Sequence, residues 1–211
     1  DQMGTDVIII RHPMSGAPTL LAKHVKASVI NAGDGMNEHP TQALLDMLTM
    51  REHLGGLEGA KVAICGDVMH SRVARSNIYG LAAMGAKVVL CAPPTLIPPR
   101  IDELGCAVAP TIEDACENAD VVMGLRIQRE RQQKGLFPSV AEYCDHWEIT
   151  PDRLALAKKD ALVMHPGPMN RGVEIASSVA DCGQSVITQQ VESGVAVRMA
   201  LLYMLTRREN A

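Results

Sequence analysis

The feature that most limits what this chain can fold into is a repeated order of short β-branched runs and helical stretches, each closed by glycine or proline. Lys61-Val-Ala-Ile-Cys65 reads as a strand, and Gly66-Asp67 turns the chain. Arg72 to Met84 has the helical period and stops at Gly85. Lys87-Val-Val-Leu-Cys91 is the next strand, broken by Pro93-Pro94. A short helix from Pro98 to Leu104, a weak strand at Val108, a helix from Ile112 to Asn118 and strands at Asp120–Met123 and Leu162–Met164 continue the order. Strands that alternate with helices imply a parallel sheet covered on both faces. The expected fold class is α/β, a doubly wound parallel sheet.

The flanks carry further elements. Asp6 to Ile10 reads as a strand stopped by Arg11-His-Pro13, Gly16 to Lys23 as a short helix, and Val29-Ile-Asn31 as a second strand. After a polar loop from Ala32 to Glu38, Thr41 to Leu54 has helical periodicity in Leu44, Leu45, Met47 and Leu48, ended by Gly55-Gly56. Gln189 to Arg208 reads as a long amphipathic helix with Val191, Val195, Met199, Leu202 and Leu205 on one stripe. Asp1 is followed almost at once by a strand, so we expect part of the N-terminal side to be missing.

Composition excludes several classes. Aromatic residues are 2% of the chain, which forces an aliphatic core and leaves few rings for stacking on nucleic-acid bases. A net charge of -4 supplies no basic field for a polyphosphate backbone. The six cysteines form no C-x-x-C pair, and reduced thiols in a cytoplasmic protein are expected. No run approaches the roughly 18 apolar residues of a membrane span, and no secretory signal pattern is visible.

Open α/β sheets bind ligands at the carboxyl ends of their strands. The residues there are Arg11-His12, the loop to His39, Gly66 to Arg72, Leu125-Arg126, and His165 to Pro168. A guanidinium offers a planar fork that matches carboxylate and phosphate. A surface ion pair explains any one of Arg11, Arg72 and Arg126. Together, at the ligand edge, they favour a ligand with several negative groups.

Glu38-His-Pro-Thr-Gln42 opens a helix, with Pro40 as a start signal and free N–H groups for an anion. His39 is placed to donate to a developing oxyanion, and Gln42, one turn on, to bond an amide-like group. A simple helix cap explains His39 alone equally well. Gly66-Asp-Val-Met-His-Ser-Arg72 is not G-x-G-x-x-G, so a dinucleotide is not indicated. His165-Pro-Gly-Pro168 has a rigid backbone whose carbonyls could accept from an amine, although from spacing alone a structural turn is the better reading. No H-E-x-x-H and no G-x-S-x-G occurs, so neither a metal site nor a serine hydrolase is expected.

Taken together, these strings resemble those of the aspartate carbamoyltransferases. They are Arg11-His-Pro13, Asn31-Ala-Gly-Asp-Gly35, Glu38-His-Pro-Thr-Gln42, Gly66-Asp67 with His70-Ser-Arg-Val-Ala-Arg-Ser76, Leu125-Arg-Ile-Gln-Arg-Glu-Arg131, and His165-Pro-Gly-Pro168 with Asn170-Arg171 and Glu174-Ile175. The resemblance runs over almost the whole chain in family order. It implies the carbamoyltransferase fold, with residues 1–40 a remnant of the carbamoyl-phosphate domain. Residues 41–186 would form the aspartate-binding domain, and 187–211 a helix packing back on the first.

The resemblance also implies roles. Arg11, His39 and Gln42 would contact carbamoyl phosphate, Arg11 and His39 as catalytic groups. Arg72, Arg126 and Gln128 would hold aspartate, and the backbone of Pro166 and Gly167 would meet carbamoyl phosphate and the amine. No cofactor would take part. Partners would be a homotrimer with shared active sites and, in some members, regulatory or dihydroorotase chains. The sister ornithine enzymes carry His-Cys-Leu-Pro where this chain has His165-Pro-Gly-Pro168, which favours aspartate.

The family's Ser-Thr-Arg-Thr phosphate loop and the Ser/Lys loop lent by a neighbouring subunit are absent. We therefore expect the chain alone to be inactive. The alternative is a non-catalytic binding or assembly module of the same fold, whose mark would be loss of the anion-binding arginines. Arg11, Arg72 and Arg126 are all retained.

Overall fold

A computed structural model describes residues 1–127 and 139–207. Strands β1 (Val7–His12) and β2 (Ser28–Asp34) pair in parallel across helix α1 (Ala17–Ala22) and form a small sheet of their own. Helix α2 (Pro40–Leu54) leads from there to the main sheet. Among the described residues that sheet consists of β3 (Lys61–Gly66), β4 (Lys87–Cys91), β5 (Ala107–Val108), β6 (Val121–Leu125) and β7 (Leu162–Met164). Every ladder is parallel, as the alternation of strands and helices requires.

The spatial order is β5-β4-β3-β6-β7, so the chain runs outward from β3 in both directions. The switch in direction falls between β3 and β6, where connections leave on opposite faces and open a crevice at the strand ends. Gly66 closes β3 with φ +133, and a Cβ there would overlap the Leu125 carbonyl oxygen. A larger residue would push β3 and β6 apart at that crevice.

Alternate residues of the strands fill two cores. Val62 and Ile64 pack with Ile78, Leu81, Leu90 and Met123 on one face, and Ala63 and Cys65 with Ile112, Val122, Ile149 and Val163 on the other. The buried strand-end cysteines Cys65 and Cys91 carry free thiols.

Several expectations need correction. β1 extends through Arg11 to His12, with a register irregularity after Ile10, so Arg11 lies in the strand and not beyond it. The expected helix at Pro98–Leu104 is a 3-10 turn, Ile101–Leu104. Helix α3 (Arg72–Ala83) ends close to its expected limit, whereas α4 (Ile112–Cys116) is shorter than expected. Helices α5 (Val140–Trp147), α6 (Pro151–Leu154) and α7 (Ser177–Ala180) were not foreseen, because each is too short to show a helical period.

The most informative correction concerns α2 and the last helix, α8 (Ile187–Thr206). Each was read as carrying apolar residues at helical spacing, which on an ordinary surface helix face the core. Instead α8 buries Gln190, Ser193 and Gly194, while Val191, Val195, Met199 and Leu202 are exposed. On α2, Leu45 of the expected set is buried, whereas Leu44 is exposed and Gln42, Asp46 and Thr49 are buried. The two helices meet through these polar faces, with Thr49 Oγ1 donating to Ser193 Oγ at 2.9 Å. α8 also touches β1 and β7.

Candidate functional site

The strand-end crevice holds a cavity of about 360 Å³ lined mainly by polar groups. Arg11, His39, Gln42, Arg72, Arg126, Pro166 and Gly167 all line it. They come from β1, the start of α2, the start of α3, the residue after β6 and the loop after β7. Gln128, the remaining expected contact, lies outside the described residues.

Two further polar residues line it, Ser71 from the expected Gly66–Arg72 segment and Arg198, which the sequence reading missed. Ser71 caps α3, its Oγ accepting from Ala74 N at 3.1 Å, so the N-terminus of α3 opens on the cavity. Arg198 arrives from α8, 30 residues past the last strand-end turn at Pro168, and no strand-end rule could have pointed to it. Its Nη1 also donates to Gly194 O at 2.9 Å. Arg171, by contrast, pairs with Asp181 at 2.6 Å and is absent from the lining.

Each lining side chain is set by local chemistry. Asp34 is buried and gathers the loop before α2. Its carboxylate accepts from Asn31 Nδ2, Asn37 Nδ2, Glu38 N and Gly16 N at 2.6–3.1 Å. Burial alone would raise its pKa, but these donors together leave it lowered. His39 stands at the N-cap of α2 but makes no side-chain cap bond, so the simple capping role does not apply. Its backbone N–H donates to Ser76 Oγ at 2.8 Å, and Nδ1 lies 3.4 Å from Thr41 Oγ1.

Burial, followed by the charges of Arg72, Arg11 and Arg198, pushes the His39 pKa down to about 4. The imidazole is neutral at pH 7. Arg72 is buried and lies over Gly33, and its Nη1 is 3.4 Å from Gly35 O.

The loops after β6 and β7 are tied together. Glu174, 1% exposed, accepts from Ile127 N at 3.4 Å and from Asn170 Nδ2 at 3.1 Å. The buried His165 ring lies beside it, with Nε2 3.2 Å from Glu174 Oε1. His165 Nδ1 accepts from Gly167 N at 2.9 Å, which folds the Pro166–Pro168 turn over the ring. Gly124 makes room for that ring, since a Cβ there would stand 3.1 Å from His165 Cδ2.

The arrangement brings four guanidinium groups, a neutral imidazole, a primary amide, a helix N-terminus and a rigid backbone turn to one cavity. It is built to take a small molecule with several negative charges and an adjoining carbonyl. No group of three or more His, Cys, Asp or Glu among the described residues could hold a metal ion. No helix among them is long and apolar enough to cross a membrane.

Residues 58–205 match the family described as aspartate/ornithine carbamoyltransferase, Asp/Orn binding domain. Residues 1–52 match the carbamoyl-P binding domain of the same enzymes. The catalytic subunit of aspartate carbamoyltransferase from Ruminiclostridium cellulolyticum is 66% identical over 208 residues, covering 99% of this chain and 66% of the relative. The chain thus spans about two thirds of the length of the curated relatives it matches. Among solved structures, aspartate transcarbamoylase from Trypanosoma cruzi in complex with N-(phosphonacetyl)-L-aspartic acid superposes with TM-score 0.80 at 30% identity, covering 94% of this chain and 65% of that one. Ornithine carbamoyltransferase from Pyrococcus furiosus superposes with TM-score 0.82 at 27% identity, covering 95% and 66%.

Proposed function

The chain belongs to the aspartate/ornithine carbamoyltransferase family, and we propose that it carries most of the site that transfers the carbamoyl group of carbamoyl phosphate to the α-amine of L-aspartate. The observation that carries this reading is the convergence of Arg11, His39, Gln42, Arg72, Arg126 and the Pro166-Gly167 turn on one cavity. Carbamoyl phosphate would lie toward Arg11, His39 and Gln42. Aspartate would lie toward Arg72 and Arg126, with Gln128 as a further contact.

The chemistry is positioning and electrostatic stabilisation. The α-amine attacks the carbamoyl carbon, the bond to the phosphate oxygen breaks, and the departing phosphate takes the amine proton. Charge builds on the carbamoyl oxygen as the amine adds. His39, neutral at pH 7, donates a hydrogen bond there and does not act as a base. Arg11 stabilises the phosphate as it leaves. The backbone of Pro166 and Gly167 orients the amine. Arg126 favours the β-carboxylate of aspartate over the cationic side chain of ornithine, and the relative's bound N-(phosphonacetyl)-L-aspartic acid joins the same two functions in one molecule.

This reading also assigns residues 1–40 to the carbamoyl-phosphate unit and 41–186 to the aspartate unit, with 187–211 returning to the first. The separate β1-β2 sheet and the contact of α8 with β1 support it. It further implies a cytoplasmic homotrimer, in some settings with regulatory or dihydroorotase chains. The deciding experiment follows carbamoyl-aspartate formation by the native protein together with calorimetry of succinate, an inert dicarboxylate. The 211-residue chain alone, which has no Ser-Thr-Arg-Thr string, is expected to show negligible turnover. Absence of both turnover and succinate binding in the native protein would favour the assembly-module alternative.

A further inference from the structure

Asp46 lies one turn beyond Gln42 on α2 and is 0% exposed. Its Oδ1 accepts from Gln42 Nε2 at 3.0 Å and from Gln190 Nε2 at 2.8 Å. Its Oδ2 accepts from Asn77 Nδ2 at 2.8 Å. One carboxylate therefore joins α2, α3 and α8. Two of its three partners lead directly to the cavity: Gln42 lines it, and Gln190 Oε1 accepts at 2.9 Å from His165 N, next to the Pro166–Pro168 turn.

A tie of this kind stabilises no better than a well-packed apolar residue, because burying the charge costs about what the pairing returns. What a carboxylate adds is direction. Ionised, it accepts and never donates, so each amide facing it must present NH₂. Asn77 bears the cost: its Oδ1 is buried without a hydrogen-bond partner. Burial pushes the Asp46 pKa up to about 6 against the pull of the three amides, which still leaves it ionised at neutral pH.

We infer that Asp46 is a positioning residue that turns the NH₂ of Gln42 inward and its carbonyl oxygen to the cavity, so that the site selects a carbamoyl group over an acyl group of the same shape. The inference rests on the reading that Gln42 meets the carbamoyl group. A carbamoyl NH₂ finds an acceptor in the Gln42 oxygen. The methyl of an acetyl group leaves that oxygen buried and unpaired.

The test compares the affinity of the native protein for carbamoyl phosphate with that for acetyl phosphate, in which CH₃ replaces NH₂. The unsubstituted protein should prefer carbamoyl phosphate by roughly tenfold, the value of one such hydrogen bond. Asp46→Leu removes the acceptor and should bring the ratio close to one, with succinate affinity little changed. Asp46→Ser, whose oxygen is too short to reach Gln42, serves if Asp46→Leu does not fold.

Asp46→Asn should keep most of the preference, because Asn77 can turn its unpartnered Oδ1 onto the new amide and leave an oxygen facing Gln42. In a Gln42→Leu background, Asp46 substitutions should not move the ratio further. A folded Asp46→Leu or Asp46→Ser protein with the original ratio overturns the inference. So does a parallel loss of succinate and both acyl phosphates, which marks a merely structural role. If the unsubstituted protein binds neither carbamoyl phosphate nor succinate, it is the proposed function that fails.

Discussion

The guanidinium of Arg72 occupies the space that a side chain on Gly33 would need. An ideal Cβ on Gly33 would stand 2.7 Å from Arg72 Cζ and 2.8 Å from Nε. Gly33 also holds φ +114, a conformation that L side chains rarely adopt. The residue before the end of β2 therefore has no side chain, which lets an arginine from α3 reach the cavity.

Gly33→Ala should displace Arg72 and weaken succinate binding about tenfold or more, the effect of losing one charge-assisted contact. Calorimetry reads this directly. Thermal unfolding of the same variant should show a loss of about 1–3 kcal/mol from the backbone strain. Unchanged succinate affinity would mean that Arg72 is not a dicarboxylate contact.

Arg126 follows β6 and is held near the β7 turn through the bonds of Glu174 to Ile127 and Asn170. Arg126→Ala should cost about 1.5–3 kcal/mol of succinate binding, as for a hydrogen bond to a charged group. Arg126→Lys should recover only part, because a point charge cannot reproduce the fork. The loss should be smaller for phosphate, which separates the two ends of the cavity.

His39 should not titrate near neutral pH. NMR of its ring should place the midpoint at about 4, well below the ordinary 6.5. Arg198→Ala should raise that midpoint, but only partly, since burial and the charges of Arg72 and Arg11 remain. A pH–rate profile of the native protein should therefore carry no His39 limb between pH 6 and 8. A midpoint near 6.5 in the free protein would remove the argument for a neutral donor.

The half-buried His39 and the buried Asp46 should answer acid with opposite sign. His39 has a folded pKa below its unfolded one, so its contribution to stability is full above 6.5 and is lost as pH falls toward 4. Asp46 has a folded pKa of about 6 against an ordinary 3.8, so the folded state takes up its proton first. Its burial therefore costs most above pH 6, and that cost is relieved as pH falls toward 3.8. Urea unfolding from pH 7 to pH 4 should show the native protein gaining stability relative to Asp46→Asn across that window. A difference independent of pH would mean that Asp46 ionises as freely folded as unfolded.

Much of this was legible before any coordinates. The main strands announce themselves because parallel strands covered on both faces must be apolar along their length, as Val62 to Cys65 and Val121 to Met123 are. Arg11, His39, Gln42, Arg72, Arg126 and the Pro166-Gly167 turn were found because ligands gather where such strands end. Helices α5, α6 and α7 were not legible, because a helix of one or two turns is too short to show a period. Nor were the polar parts of the buried faces of α2 and α8, where apolar spacing picks out Leu45 and Val195 and the structure buries Asp46 beside Leu45 and Ser193 in place of Val195.

The sequence by itself therefore determined the parallel α/β class, the strands of the sheet and the set of strand-end residues, because each of these follows from local pattern. Only the tertiary structure decided that Arg11 reaches the cavity from a separate small sheet, that Arg198 joins it from α8, that Gly33 clears a path for Arg72, and that Asp46 fixes the direction of Gln42. Asp46 and Gln190 are 144 residues apart, and a buried hydrogen bond between two polar side chains at that separation leaves no periodic trace in the chain. Its energy comes from excluding water around both groups at once, which only the packed helices supply.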